Sequence, residues 1–213
     1  MKKIIVTVLM ASGLLALASC KKDPVKNLQG DEGQIYITKH ADSVNFGSFH
    51  TFSIADSVAV ISNNQLQGKV LTDVDAAYIN AVKTRLVQRG YTQVSRDQNP
   101  DLGITISRIY NTSTGVFDYG SYWDPYYGSY WDPYYWGYGG YGYYFPSYYL
   151  GTYSITEGAM SIDIFNLRDA KQTNKISGIW SGLVRGSGVF SVSTANNGVQ
   201  ALFDQSPYFK VSQ

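Results

Sequence analysis

One cysteine, two histidines and 16 carboxylates are what this chain offers for chemistry. Cys20 is the sole thiol, and a thiolate is a natural nucleophile for accepting a covalent group. His40 and His50 leave little material for histidine-based catalysis or metal binding, and His50, between Phe49 and Thr51, fits a surface or edge position. A hydrolase would need Asp163 or Glu157 joined to one of those histidines. Asp163 alternates outward on its strand, where a solvated carboxylate is expected. No nucleophile, base and orienting group come together in the pattern, so no catalytic residues are expected. Asp124 and Asp132 could share a calcium ion, but two carboxylates are too few for a site, so no metal and no cofactor is expected. Gly137–Gly142 reads G-x-G-x-x-G. A dinucleotide site needs that spacing between a strand and a helix, and no helical pattern follows it here.

The segment that brings Cys20 into play has the anatomy of a secretory signal. Lys2 and Lys3 precede an apolar stretch from Ile4 to Ala18, and small residues follow. The stretch is short of the about 20 residues that span a bilayer. Its ending, L-A-S-C at Leu17–Cys20, resembles the lipobox of bacterial lipoproteins. That resemblance implies a diacylglyceryl group on the Cys20 sulfur, cleavage before Cys20 and acylation (palmitate or similar) of the new amino group. Two or more acyl chains hold stably, at about 0.8 kcal/mol per buried methylene. Residues 1–19 are therefore expected to be a signal peptide and 20–33 a polar tether. Lys21 stands where some bacteria place the aspartate that retains a lipoprotein in the inner membrane. The expected location is the outer membrane, facing the periplasm or the cell surface.

Residues 34–213 carry the periodicities of a folded domain. Ile35–Ile37 and Phe49–Ile54 favour strands, and Val58–Ile61 extends or follows the second. Val74, Ala77, Tyr78, Ala81, Val82 and Leu86 share one face of a helix over about 73–89. Thr72 with Asp75 makes a capping box, and Gly90 can close the helix. Leu102, Ile104 and Ile106 alternate on a half-buried strand, as do Met160, Ile162 and Ile164. Lys175 to about Val184 completes a hairpin with the latter, and Ala195–Gln205 fits a final helix before Pro207. The expected class is α+β: a single mixed or antiparallel sheet of about four to five strands, two helices on one face, and an irregular insert.

That insert, residues 111–152, is where composition departs from the ordinary. Of the 37 residues from Phe117 to Tyr153, 14 are Tyr, 3 Trp and 2 Phe, and G-S-Y-W-D-P-Y-Y occurs at 120–127 and again at 128–135. Scattered Gly and Pro argue against regular structure over most of it. So many rings are costly to leave in water, so they collapse on the sheet, sit at a membrane interface or meet a partner. No Lys or Arg occurs from Ile109 to Leu167, which excludes single-stranded nucleic acid, since stacking sites for it also need positive charge. An envelope protein, a glycan or peptidoglycan, or a second copy survive that test. Trp123, Trp131 and Trp136, with Tyr122 and Tyr130, are the candidate contacts.

The chain has 213 residues, net charge +1 and 44% apolar content, enough for one core and unlike either a basic nucleic-acid binder or an acidic disordered tail. Several pieces in order resemble the domain-of-unknown-function family 4136 of Gram-negative envelope lipoproteins. They are F-G-S-F-H-T-F at Phe46–Phe52, I-N-A-V-K-T-R-L-V-Q-R-G-Y at Ile79–Tyr91, and N-P-D-L-G-I-T-I at Asn99–Ile106. E-G-A-M-S-I-D-I-F at Glu157–Phe165, I-W-S-G at Ile179–Gly182 and the stretch Val199–Phe209 complete them. The resemblance implies fold and envelope location and carries no activity. The expectation is a lipid-anchored envelope protein acting by interaction rather than catalysis, with glycan or peptidoglycan binding through the Tyr/Trp loop as the alternative.

Overall fold

The computed structural model describes residues 33–63, 65–110, 117–118, 133–146, 152–153 and 158–212. Cys20, Tyr122, Trp123, Tyr130, Trp131 and Glu157 lie outside them. The strands are β1 (Gln34–His40), β2 (Thr51–Ile54), β3 (Val58–Ser62), β4 (Gln65–Val70), β5 (Thr92–Gln93) and β6 (Leu102–Ile109), then β7 (Phe117–Asp118), β8 (Gly142–Tyr144), β9 (Thr152–Tyr153), β10 (Ala159–Asn166) and β11 (Lys175–Gly186). The helices are α1 (Asp73–Gln88), α2 (Ala170–Thr173) and α3 (Val192–Asp204).

Nine strands form one mixed sheet with the main order β1-β11-β10-β6-β2-β5. The centre is antiparallel: β10 pairs β11 and β6, and β1 closes one side against β11. β2 and β3 run parallel to β6 one after the other along its length, and β3 turns back into β4. The sheet is wider than the four to five strands expected. The added strands are too short or too polar to carry a period: β5 has two residues, β8 three, and β4 reads Q-L-Q-G-K-V.

α1 and α3 lie together on one face of the sheet, as the apolar stripes require. Tyr78, Val82 and Leu86 of α1 and Val199, Leu202 and Phe203 of α3 share a core with Ile104, Ile106, Met160, Ile162, Ile164 and Trp180. The polar ends of the buried rings are satisfied there. Tyr78 donates to the Val189 carbonyl (2.8 Å), Tyr91 to the Phe46 carbonyl (2.9 Å) and Trp180 Nε1 to Ser206 Oγ (2.9 Å). The capping box of α1 is present: the Thr72 amide donates to Asp75 Oδ2 at 2.8 Å, and the Asp75 amide to Thr72 Oγ1 at 3.4 Å. Gly182 is required by space, since a Cβ there would lie 2.5 Å from Trp180 and 2.8 Å from Leu202.

The opposite face is covered too. A second core joins Ala59, Ile61, Ile109, Phe165, Leu167 and Leu183 of the sheet side to Ala170 of α2 and to Trp136 and Tyr138 of the insert. β6 and β10 are therefore buried at almost every position rather than on alternate ones. The insert is also more regular than expected where it is described. Pro133–Trp136 forms a 3-10 turn, β8 joins the main sheet parallel to β11, and β7 pairs with β9 in a separate ladder. Gly137 and Gly140 take positive φ (81° and 86°) in the turn that leads to β8, so the G-x-G-x-x-G pattern enters a strand and not a helix.

Candidate functional site

The second face of the sheet holds an uncommon set of groups. Along β6 it presents Gly103, Thr105, Ser107 and Ile109; along β10, Ala159, Ser161, Asp163 and Phe165. Register places Thr105 opposite Asp163, and Asp163 opposite Ser181 of β11, in one cross-strand row. The next row is Ser107, Ser161 and Leu183. Thr105, Ser107, Ser161 and Asp163 are wholly buried, and Ser181 is 5% exposed.

Asp163 is thus the reverse of the solvated surface carboxylate its alternation predicts. Strand alternation only assigns it to the face opposite Ile162, and Trp136 and Tyr138 of the insert pack on that face. Ser161 Oγ donates to Asp163 Oδ2 at 2.7 Å, while Oδ1 has no hydrogen-bond partner among the described residues. Thr105 Oγ1, directly across the ladder, has none either. Burial pushes the Asp163 carboxyl from an ordinary 3.8 up to about 7, with the Ser161 hydrogen bond opposing that rise.

The roof is built from aromatic rings. Trp136 packs over Gly103, where a Cβ would lie 3.2 Å from its Cε2 and 2.9 Å from Leu167. It is only 4% exposed, and its indole Nε1 is buried without a hydrogen-bond acceptor among the described residues. Of the candidate contact residues, Trp136 is therefore part of the core, because Gly103 leaves space for its ring on the sheet. The Tyr143 and Phe145 rings lie 5.4 and 6.1 Å from that of Phe165, which stands opposite Gly103. Tyr138 donates its hydroxyl to the Leu167 carbonyl at 2.9 Å and pins the turn. Tyr135 faces two cations: Arg96 sits 4.7 Å and Lys69 5.4 Å from its ring centre. The insert has no cations of its own and borrows them from the domain.

The histidines take no part. His40 lies on the helix side of β1, its ring 4.1 Å from that of Tyr208, and His50 is exposed, with its amide donating to Asp101 Oδ2 at 2.7 Å. Asp163 and His40 occupy opposite faces of the sheet and do not pair, and Glu157, the other carboxylate named for a hydrolase, lies outside the described residues. Among the described residues, no three His, Cys, Asp or Glu side chains gather as metal ligands. Nor is any helix among them long and apolar enough to cross a membrane. A separate open cleft of about 730 Å³ is lined by Gly47, Arg89, Gly90, Tyr208 and Lys210, among others. Its Arg89 already donates to the carbonyls of Phe203, Ser206 and Phe209 at the end of α3, which leaves that cation occupied in holding the fold.

A row of hydroxyls around a buried, protonatable carboxyl can hold or release a proton. It presents no activated nucleophile. The sequence signal for it was the lack of long charged side chains: the second face of β6 and β10 offers Thr, Ser and Asp but no Lys, Glu or Arg.

Comparison with known proteins follows the fold. The crystal structure of a DUF4136 family protein from Bacteroides thetaiotaomicron superposes with a TM-score of 0.69 at 28% identity, over 84% of this chain and 99% of that one. The PelC dodecamer from Paraburkholderia phytofirmans gives 0.40 at 9% identity, covering 84% and 99% of the two chains. A PDZ domain protein from Parabacteroides distasonis gives 0.44 at 13% identity, over 85% of this chain and 38% of that one. The last two similarities are too low to bear on this protein. No curated protein matches the chain at a significant level. The model of a domain of unknown function (DUF4136) matches residues 37–208, and the chain belongs to that family.

Proposed function

We propose that the protein is a lipid-anchored component of the bacterial envelope that acts by interaction rather than catalysis. Cys20 carries the acyl groups, residues 20–33 form the tether, and the α+β domain hangs from it at the outer membrane. The observation that carries this reading is the placement of the sole thiol: L-A-S-C follows a charged start and an apolar stretch, and the first strand begins at Gln34. The interaction element is the aromatic insert, whose described part lies on the sheet through Trp136 and Tyr138. Palmitate labelling in the native host tests the anchor. Label that is incorporated into the wild type and lost in Cys20→Ser supports it; label retained in that variant refutes it.

The alternative partner is a glycan or peptidoglycan strand. Rings stack on the C–H faces of sugars without needing charge, and the insert still presents Tyr144, which is 48% exposed. Cell-wall fragments that quench or shift tryptophan emission would select this reading over a protein partner or a second copy. A broad glycan panel without any response would remove it.

A further inference from the structure

A carboxyl seldom sits in the middle of a sheet with one oxygen unpartnered. Asp163 does so at the centre of β10, with Thr105 of β6 on one side and Ser181 of β11 on the other. The row beside it, Gly103 and Phe165, is the seat of the insert: Trp136 fills the space over Gly103, and Tyr143 and Phe145 contact Phe165. The seat of the insert and the carboxyl are therefore adjacent rows on one surface, and Asp163 is wholly buried there.

We propose that Asp163 is a proton-operated latch for the aromatic insert: protonated, it lets residues 133–146 lie on the sheet, and ionised, it favours their release. The physical reason is the cost of charge. A neutral carboxyl needs one donor and one acceptor partner, whereas a carboxylate without water or a cation is heavily penalised. Among the described residues, Asp163 has no neutralising charge in contact. β6 contributes Thr105 and Ser107, and Arg108 faces the other side of the sheet, paired with Asp75 of α1. β10 itself contributes Ser161. β11 contributes Ser181 and, two rows along, Arg185; β1 contributes Lys39, one strand beyond Ser181 in the same row. The described insert contributes the phenols of Tyr135, Tyr138, Tyr141 and Tyr143. Burial and the Ser161 hydroxyl are what set the proton affinity of Asp163, and the balance falls near neutrality. The element biased is local, because α1, α3 and their core lie on the far face. The latch matters for the proposed interaction role, since release would turn Trp136 and Tyr138 from core rings into contact rings. It does not depend on that role or on the lipid.

Hydrogen exchange followed by mass spectrometry on the full mature chain tests it, with rates corrected for the intrinsic effect of pH. Opening of residues 133–146 should rise about tenfold from about pH 6 to about pH 8.5, as linkage to a carboxyl with this difference in proton affinity requires. α1 and α3 should stay much better protected than residues 133–146 at both values, and Asp163→Asn should hold the insert closed at both. An unchanged insert in the wild type, an equal response in Asp163→Asn, or exchange of residues 133–146 no faster than that of α1 and α3 would overturn the latch. Should Asp163→Asn fail to fold, carboxyl-carbon NMR on the wild type decides: titration near pH 7 supports the latch, and titration below about pH 5 overturns it.

Discussion

Arg108 of β6 and Asp75 in the first turn of α1 form an ion pair 2.6 Å long, and the carboxylate is completely buried. Arg108 also donates to Thr72 Oγ1 at 3.1 Å, so the pair and the helix cap are one structure. Its ring neighbour is Phe190, 4.9 Å from the guanidinium carbon. This joint fixes α1 to the strand that bears Thr105 on its other face.

Removing one partner of a buried pair leaves the other charge uncompensated. Asp75→Ala should cost about 3–5 kcal/mol in urea denaturation, with the lost cap adding to it. The double variant Asp75→Ala/Arg108→Met should recover much of that loss, because neither charge is then stranded. Equal losses in the single and double variants would mean the joint contributes little beyond packing.

The stability of the domain should fall as pH rises through the acid and neutral range. Asp163 holds its proton to about 7 in the folded state against an ordinary 3.8 unfolded. The folded chain therefore binds more protons between those values, and folding is disfavoured progressively from about pH 4 to about pH 7 and evenly above. The difference converts to about 4 kcal/mol as an upper limit, since any local opening would relieve the buried charge before the whole domain unfolds. Asp163→Asn should remove this slope. Urea midpoints measured across the range check it, and parallel curves for the two proteins would contradict the buried acid.

Gly103 should tolerate no side chain. In Gly103→Ala the new methyl would press on Leu167 and Trp136 at 2.9 and 3.2 Å, at a cost of about 1–3 kcal/mol and with faster exchange in residues 133–146. Gly142→Ala, at the start of β8, meets nothing within 4 Å and should be nearly neutral. Thermal unfolding of both variants distinguishes a seat for Trp136 from a merely small residue.

Much of the domain could be read from residue patterns, and the gaps have physical causes. α1 was legible because Thr72, Asp75 and the stripe through Tyr78, Val82 and Leu86 agree on start and face. The hairpin β10–β11 was legible from alternation alone, and it extends two residues past the expected end at Val184, to Gly186. β5 and β8 were not, since a strand of two or three residues has no period and exists only because a neighbouring edge is free to pair. The burial of Asp163 was missed for a different reason. Period-two alternation separates two faces without saying whether the second meets water or protein, and its roof comes from an insert whose Gly and Pro gave no regular signal. Trp136 followed the same rule: its type marked it for contact, and the partner it found is Gly103 of its own chain.

The claim on which the envelope reading rests is a lipid on one sulfur. Mass spectrometry of the N-terminal peptide from protein purified out of native cells tests it most directly. The account predicts a chain starting at Cys20 with a diacylglyceryl group on the sulfur and an acyl group on the amine. A free thiol at Cys20, or residues 1–19 still attached in the mature protein, would contradict it.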